Sequence, residues 1–79
     1  MDEEEARKHK FQVTFGAYLE GLIYKKFQSK DAFLRETGIF KATLHDILTG
    51  RADVQLSTLW RIAQGLGVTV RELFPIQEK

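Results

Sequence analysis

Apolar side chains recur along this chain at helical spacing rather than in strand-like alternation. From Phe15 to Lys26, Phe15, Leu19, Leu22 and Ile23 fall at i, i+4, i+7 and i+8, which gathers them on one face of a first helix. Ser29 is a good N-cap for a second helix of about two turns carrying Phe33 and Leu34. That helix is expected to end at Thr37, with Gly38 free to adopt positive φ. A turn, Gly38-Ile39-Phe40, leads into a third helix, Lys41 to Thr49, with Leu44, Ile47 and Leu48 on one face and Ala42, Asp46 and Thr49 opposite. Gly50 stops it. A fourth helix near Leu56 to Leu66 is expected to bury Leu56, Leu59, Ile62, Ala63 and Leu66 before Gly67. Thr69-Val70-Arg71-Glu72 has capping-box spacing and opens a short fifth helix through Leu73 and Phe74, closed by Pro75. The expected fold is all-α, with five helices.

At 79 residues and 43% apolar content the chain supports one core, so residues 13–75 are assigned to one domain. Residues 76–79 are assigned to a C-terminal tail and residues 1–12 to a charged N-terminal tail or an extension of the first helix. Asp2 to Lys10 is nearly all charged, and disorder is the favoured reading of it; Arg7, Lys8 and Lys10 as a DNA-reaching arm is the alternative. Absence of cysteine excludes a disulfide framework and a thiolate zinc site. The two histidines, His9 and His45, are far apart, the glycines are isolated rather than gathered in a phosphate loop, and no nucleophile has a base beside it. No enzyme activity, metal, cofactor or small-molecule substrate is therefore expected. The acidic start, Met1-Asp2-Glu3-Glu4-Glu5, is the opposite of a signal peptide, and no apolar run approaches the roughly 18 residues of a membrane helix, so a cytoplasmic location without membrane contact is expected. Eight bases against six acids leave residues 13–75 at only +2, so affinity for a polyanion would depend on where the bases stand.

Two short helices joined by a glycine-led turn, the second with a polar outer face, form the helix-turn-helix pattern. The stretch Ser29 to Gly50, SKDAFLRETGIFKATLHDILTG, resembles the Cro and phage-repressor type of DNA-binding domain, and Leu59 to Phe74, LWRIAQGLGVTVRELF, resembles that family's closing two helices. About sixty residues carry the resemblance. It implies a lambda-repressor-like five-helix bundle whose third helix lies in the major groove, commonly in a homodimer on a pseudo-palindromic operator. Small regulators that accompany restriction-modification genes share this architecture.

Carried over by position, Lys41, Ala42 and Asp46 match sites that face base edges. Lys41 can donate to guanine O6 or N7, the Ala42 methyl can meet a thymine methyl, and Asp46 can accept from a cytosine amino group or simply stay solvated. Ser29, Lys30, Thr43, Arg51 and Gln55 match backbone-contact positions; for Lys30 and Arg51 the alternative is an ordinary surface charge. His45 and Thr49 flank this face, and for His45 partial exposure without a specific contact is the favoured reading.

The chain also departs from the family. Ile23 and Leu48 stand where a buried arginine–glutamate pair is frequent, an exchange that is often neutral or stabilising. Leu34 stands for a small alanine, Phe27 for a helix-ending glycine and Phe40 for a small polar cap. On a helical projection Phe40 shares a side with Leu44 and Ile47 and is expected over the core. Trp60, like Tyr18 and Tyr24, offers a stacking surface, but its spacing favours the core edge or a dimer surface. Trp60 with Leu73, Phe74 and Ile76 forms the candidate dimer patch, with core closure as the alternative for the last three. The leading function is sequence-specific double-stranded DNA binding by a transcriptional regulator. An antitoxin-like or adaptor module, keeping the fold but engaging a protein partner, is the alternative.

Overall fold

The computed structural model describes residues 2–75, and among these all regular structure is helical. Four α-helices, α1 (Glu3–Lys26), α2 (Lys30–Thr37), α3 (Lys41–Leu48) and α4 (Leu56–Leu66), are followed by a 3₁₀ turn at Val70–Leu73. The expected fifth helix is thus this single 3₁₀ turn. Its capping box is present: the Thr69 hydroxyl accepts from the Glu72 N–H at 3.3 Å and the Thr69 N–H donates to Glu72 Oε1 at 2.9 Å. Pro75 disfavours helical backbone at the residue before it, and Phe74 is accordingly extended (φ −105°, ψ 132°), so the element stops there.

The largest departure is at the start. The first helix begins at Glu3, twelve residues before Phe15, so the charged segment is the alternative, an extension of the first helix, and not the favoured disordered tail. Asp2 caps it by accepting from the Glu5 N–H at 2.8 Å, and Glu3, Glu4 and Glu5 occupy the first turn, where the helix dipole favours anions. Lys25 and Lys26 occupy the last turn. With 24 residues α1 is about 36 Å long, close to the 38 Å long axis of the molecule. Only its second half enters the core, through Phe15, Gly16, Leu19 and Ile23.

Phe33 of α2 stands at the centre of that core with Leu19, Ile23, Leu44, Ile62 and Leu73, all essentially without solvent exposure. Ile23 and Leu48, the apolar pair in place of the familial ion pair, are both buried. Phe27 needs no glycine-like backbone: it leaves α1 in an extended conformation (φ −118°, ψ 149°), and its ring packs edge-on against Phe33 at 5.4 Å. Gly16 lies where α1 crosses α3. A Cβ there would stand 2.7 Å from the Ile47 carbonyl oxygen and closer still to that of Leu48, so only glycine permits this approach.

Three apolar expectations change. Phe40 is 80% exposed rather than packed over the core. It is the N-cap of α3, in extended backbone (φ −69°, ψ 143°), so a projection that treats it as helical does not apply, and the buried place beside Leu44 and Ile47 goes to Ile39. Leu56 is 76% exposed, since it is the first residue of α4 and lies at the edge of the stripe that buries Ile62, Ala63 and Leu66. Leu73 is fully buried within the chain and so leaves the candidate dimer patch. Ile76 lies outside the described residues.

Candidate nucleic-acid interface

The α2–turn–α3 unit is set by local chemistry. The Ser29 hydroxyl accepts from the Ala32 N–H at 3.2 Å and fixes the start of α2. Gly38 closes α2 in the left-handed region (φ 73°), which reverses the chain into Ile39 and Phe40 at little steric cost. Leu44, Ile47 and Leu48 bury one side of α3, which leaves Lys41, Ala42, Thr43, His45 and Thr49 exposed and Asp46 half-buried at the edge. Ala42, Thr43 and Thr49 are short, while Lys41 and His45 reach further from the same face.

The expected contact residues gather in two neighbouring places. Thr43, Asp46 and Gln55 line one groove with Asp53, between α3 and the segment leading into α4. Lys30, Lys41 and His45 line a crevice between α2 and α3, floored by Leu34 and Leu44. The bulk of Leu34 in place of alanine is thus accommodated at this crevice. Arg51 is exposed just past Gly50, its N–H donating to the Asp46 carbonyl at 2.8 Å. Gln55 is the N-cap of α4, and its side chain makes no capping hydrogen bond. Thr49 is committed locally: its hydroxyl donates to the His45 carbonyl at 2.8 Å, closing the end of α3.

Sequence reasoning missed two features. The Lys30 ammonium is held by Glu20 of α1 at 2.9 Å, and this hydrogen bond raises the lysine above its ordinary pKa, against a smaller opposing effect of burial. The other is a clamp from the first half of α1 onto the α3–α4 loop. Gln12 donates to Asp53 Oδ1 at 2.7 Å and to the Ala52 carbonyl at 3.4 Å, and Lys8 pairs with Asp53 at 3.4 Å. Val13 packs on Gly50, while Phe11 stacks on Phe74 at 6.4 Å and Phe15 lies tilted against it at 5.0 Å. These partners are some forty to sixty residues apart in the chain, and their one local signal is the i, i+4 spacing of Lys8 and Gln12.

The arrangement presents hydrogen-bonding and cationic groups from α3 and the segments that flank it, with no group of three or more potential metal ligands among the described residues. A family model for the Cro/C1-type HTH DNA-binding domain matches residues 19–79. The chain belongs to that family. This Cro/C1-type domain is similar to the restriction-modification controller protein C.AhdI from Aeromonas hydrophila, whose crystal structure superposes with a TM-score of 0.74 at 27% identity, covering 80% of this chain and 96% of that one. Among curated proteins no relative matches. The Cro/C1-type family is defined by DNA binding rather than by a catalysed reaction. No helix among the described residues is long and apolar enough to cross a membrane.

Proposed function

We propose that the chain is a sequence-specific, double-stranded DNA-binding transcriptional regulator that inserts α3 into the major groove and acts as a homodimer on a pseudo-palindromic operator. The observation that carries this reading is the exposed Lys41–Thr49 face of a helix whose other side is locked into the core directly after a glycine turn. Lys41 donates to guanine, the Ala42 methyl meets a thymine methyl, and Asp46 accepts from a cytosine amino group. Ser29, Lys30, Thr43, Arg51 and Gln55 hold the phosphate backbone, with His45 and Thr49 at the flanks. Likeness to a restriction-modification controller supports regulation as the task.

For the dimer, Trp60 is the exposed member of the candidate patch, and Leu56 stands one turn before it on α4. Phe74 is half-buried against Phe11 and Phe15 and contributes at the margin. The same exposed pair favours the second reading, a protein-interaction module. Selection from a random duplex pool at moderate salt separates the two. Enriched pseudo-palindromes with half-sites about one helical turn apart support the dimeric regulator, and a folded chain that enriches nothing supports the interaction module.

A further inference from the structure

We propose that Phe40 is a specificity-determining residue, its phenyl ring making apolar contact with the C5-methyl group of a pyrimidine in the major groove; this rests on the DNA-binding reading above. Among the described large apolar residues Phe40 is the most exposed, at 80%. A lone apolar side chain on an arbitrary surface needs no explanation, but the place of this one does. It is the N-cap of α3, where serine, threonine, aspartate or asparagine would satisfy a free N–H, and no side-chain cap is present. The sequence thus gives up a cap on the helix that faces the duplex and sets a phenyl group there instead.

Burial alternates through the turn: Ile39 goes inward at 8% exposure and Phe40 outward. The ring therefore leaves the chain at the same end of α3 as Lys41 and Ala42, both exposed, and the N-terminal end of a recognition helix is the part that reaches base edges. In the major groove the apolar feature of a base edge is the pyrimidine C5-methyl. Thymine carries it always and cytosine only when methylated. A large protein partner is disfavoured as the occupant, because the residues beside Phe40 on α3 are Lys41, Ala42 and Thr43, and the next most exposed large apolar residues, Leu56 and Trp60, belong to α4.

The test takes a duplex selected with the wild-type chain, replaces each thymine in turn by deoxyuridine and each cytosine by 5-methylcytosine, and measures Kd at fixed salt for wild type, Phe40→Ala and Phe40→Leu. Circular dichroism and Tm verify the fold of the variants. Loss of one contacted methyl group weakens wild type about fourfold. The same replacement leaves Phe40→Ala unchanged within a factor of about two, with Phe40→Leu between. A position where deoxyuridine has this effect identifies thymine as the source of the methyl, and one where 5-methylcytosine strengthens wild type alone identifies methylated cytosine. Equal responses of wild type and Phe40→Ala at every position overturn the proposal, as does a Phe40→Ala loss that is uniform across sequences. A wild-type chain that enriches no duplex removes the DNA-binding reading itself, and this inference with it.

Discussion

The ammonium of Lys30 has two possible partners: the Glu20 carboxylate that holds it at 2.9 Å and a phosphate in the proposed complex. Both side chains are about 40% exposed, so the pair itself adds little to stability, and its effect is on where the charge is aimed. Removing the carboxylate by Glu20→Gln is expected to strengthen duplex binding at low salt about threefold. Lys30→Ala is expected to weaken binding across all sequences and to reduce the salt slope by about one. Titrations against labelled duplex at several salt concentrations measure both, and an unchanged slope in Lys30→Ala would take Lys30 out of the backbone contacts. Glu72 offers a pH test at the same scale. Its hydrogen bonds from Thr69 hold its pKa below the ordinary 4.5, so its contribution is present above the unfolded value and lost as pH falls through the lower native one. The Tm difference between wild type and Glu72→Ala should be steady at neutral pH and shrink below about pH 4.5 in a melting series.

Among the elements, the first half of α1 is a brace as well as a helix. Through Gln12, Lys8 and Val13 it holds the Gly50–Asp53 loop that positions Arg51. Gln12→Ala should speed amide exchange in residues 51–54 and weaken duplex binding a few-fold while global stability falls by only about 1 kcal/mol. Equal exchange rates in the two proteins would mean that the loop is held by its own backbone. The difficulty of seeing this brace in the sequence has a physical cause. Ser29, Gly38 and the Leu44–Leu48 face act through neighbours three or four residues away, so caps and spacing reveal α2, the turn and α3. The brace depends on partners some forty to sixty residues apart, and without an apolar stripe the segment Asp2–Lys10 reads as a solvated tail. Phe40 and Leu56 mislead for another reason. Each stands at a helix boundary, where the periodicity that sorts inside from outside has not yet begun.

Across the whole molecule, the exposed α4 pair and the core make opposite predictions. If the proposed homodimer forms through this pair, Leu56→Ser with Trp60→Ser should leave Tm nearly unchanged and shift sedimentation from dimer to monomer, with loss of binding to paired half-sites and retention of weak binding to one. Sedimentation unchanged by the double substitution would place the subunit contact elsewhere. Gly16→Ala acts on the fold itself: the added methyl collides with backbone at Ile47 and Leu48, which cannot rotate away as a side chain can. A loss of about 1–3 kcal/mol is expected, of the order of 10 °C in Tm for a domain this size. The same contact bears on how a duplex would be read. With the backbones of α1 and α3 touching at Gly16, the helix proposed to enter the groove is seated directly on α1, with no side-chain layer between them to absorb a shift. A fit to imperfect sites must then come from bending and twisting of the duplex, so flexible base steps that the protein never touches would alter affinity as much as some that it does.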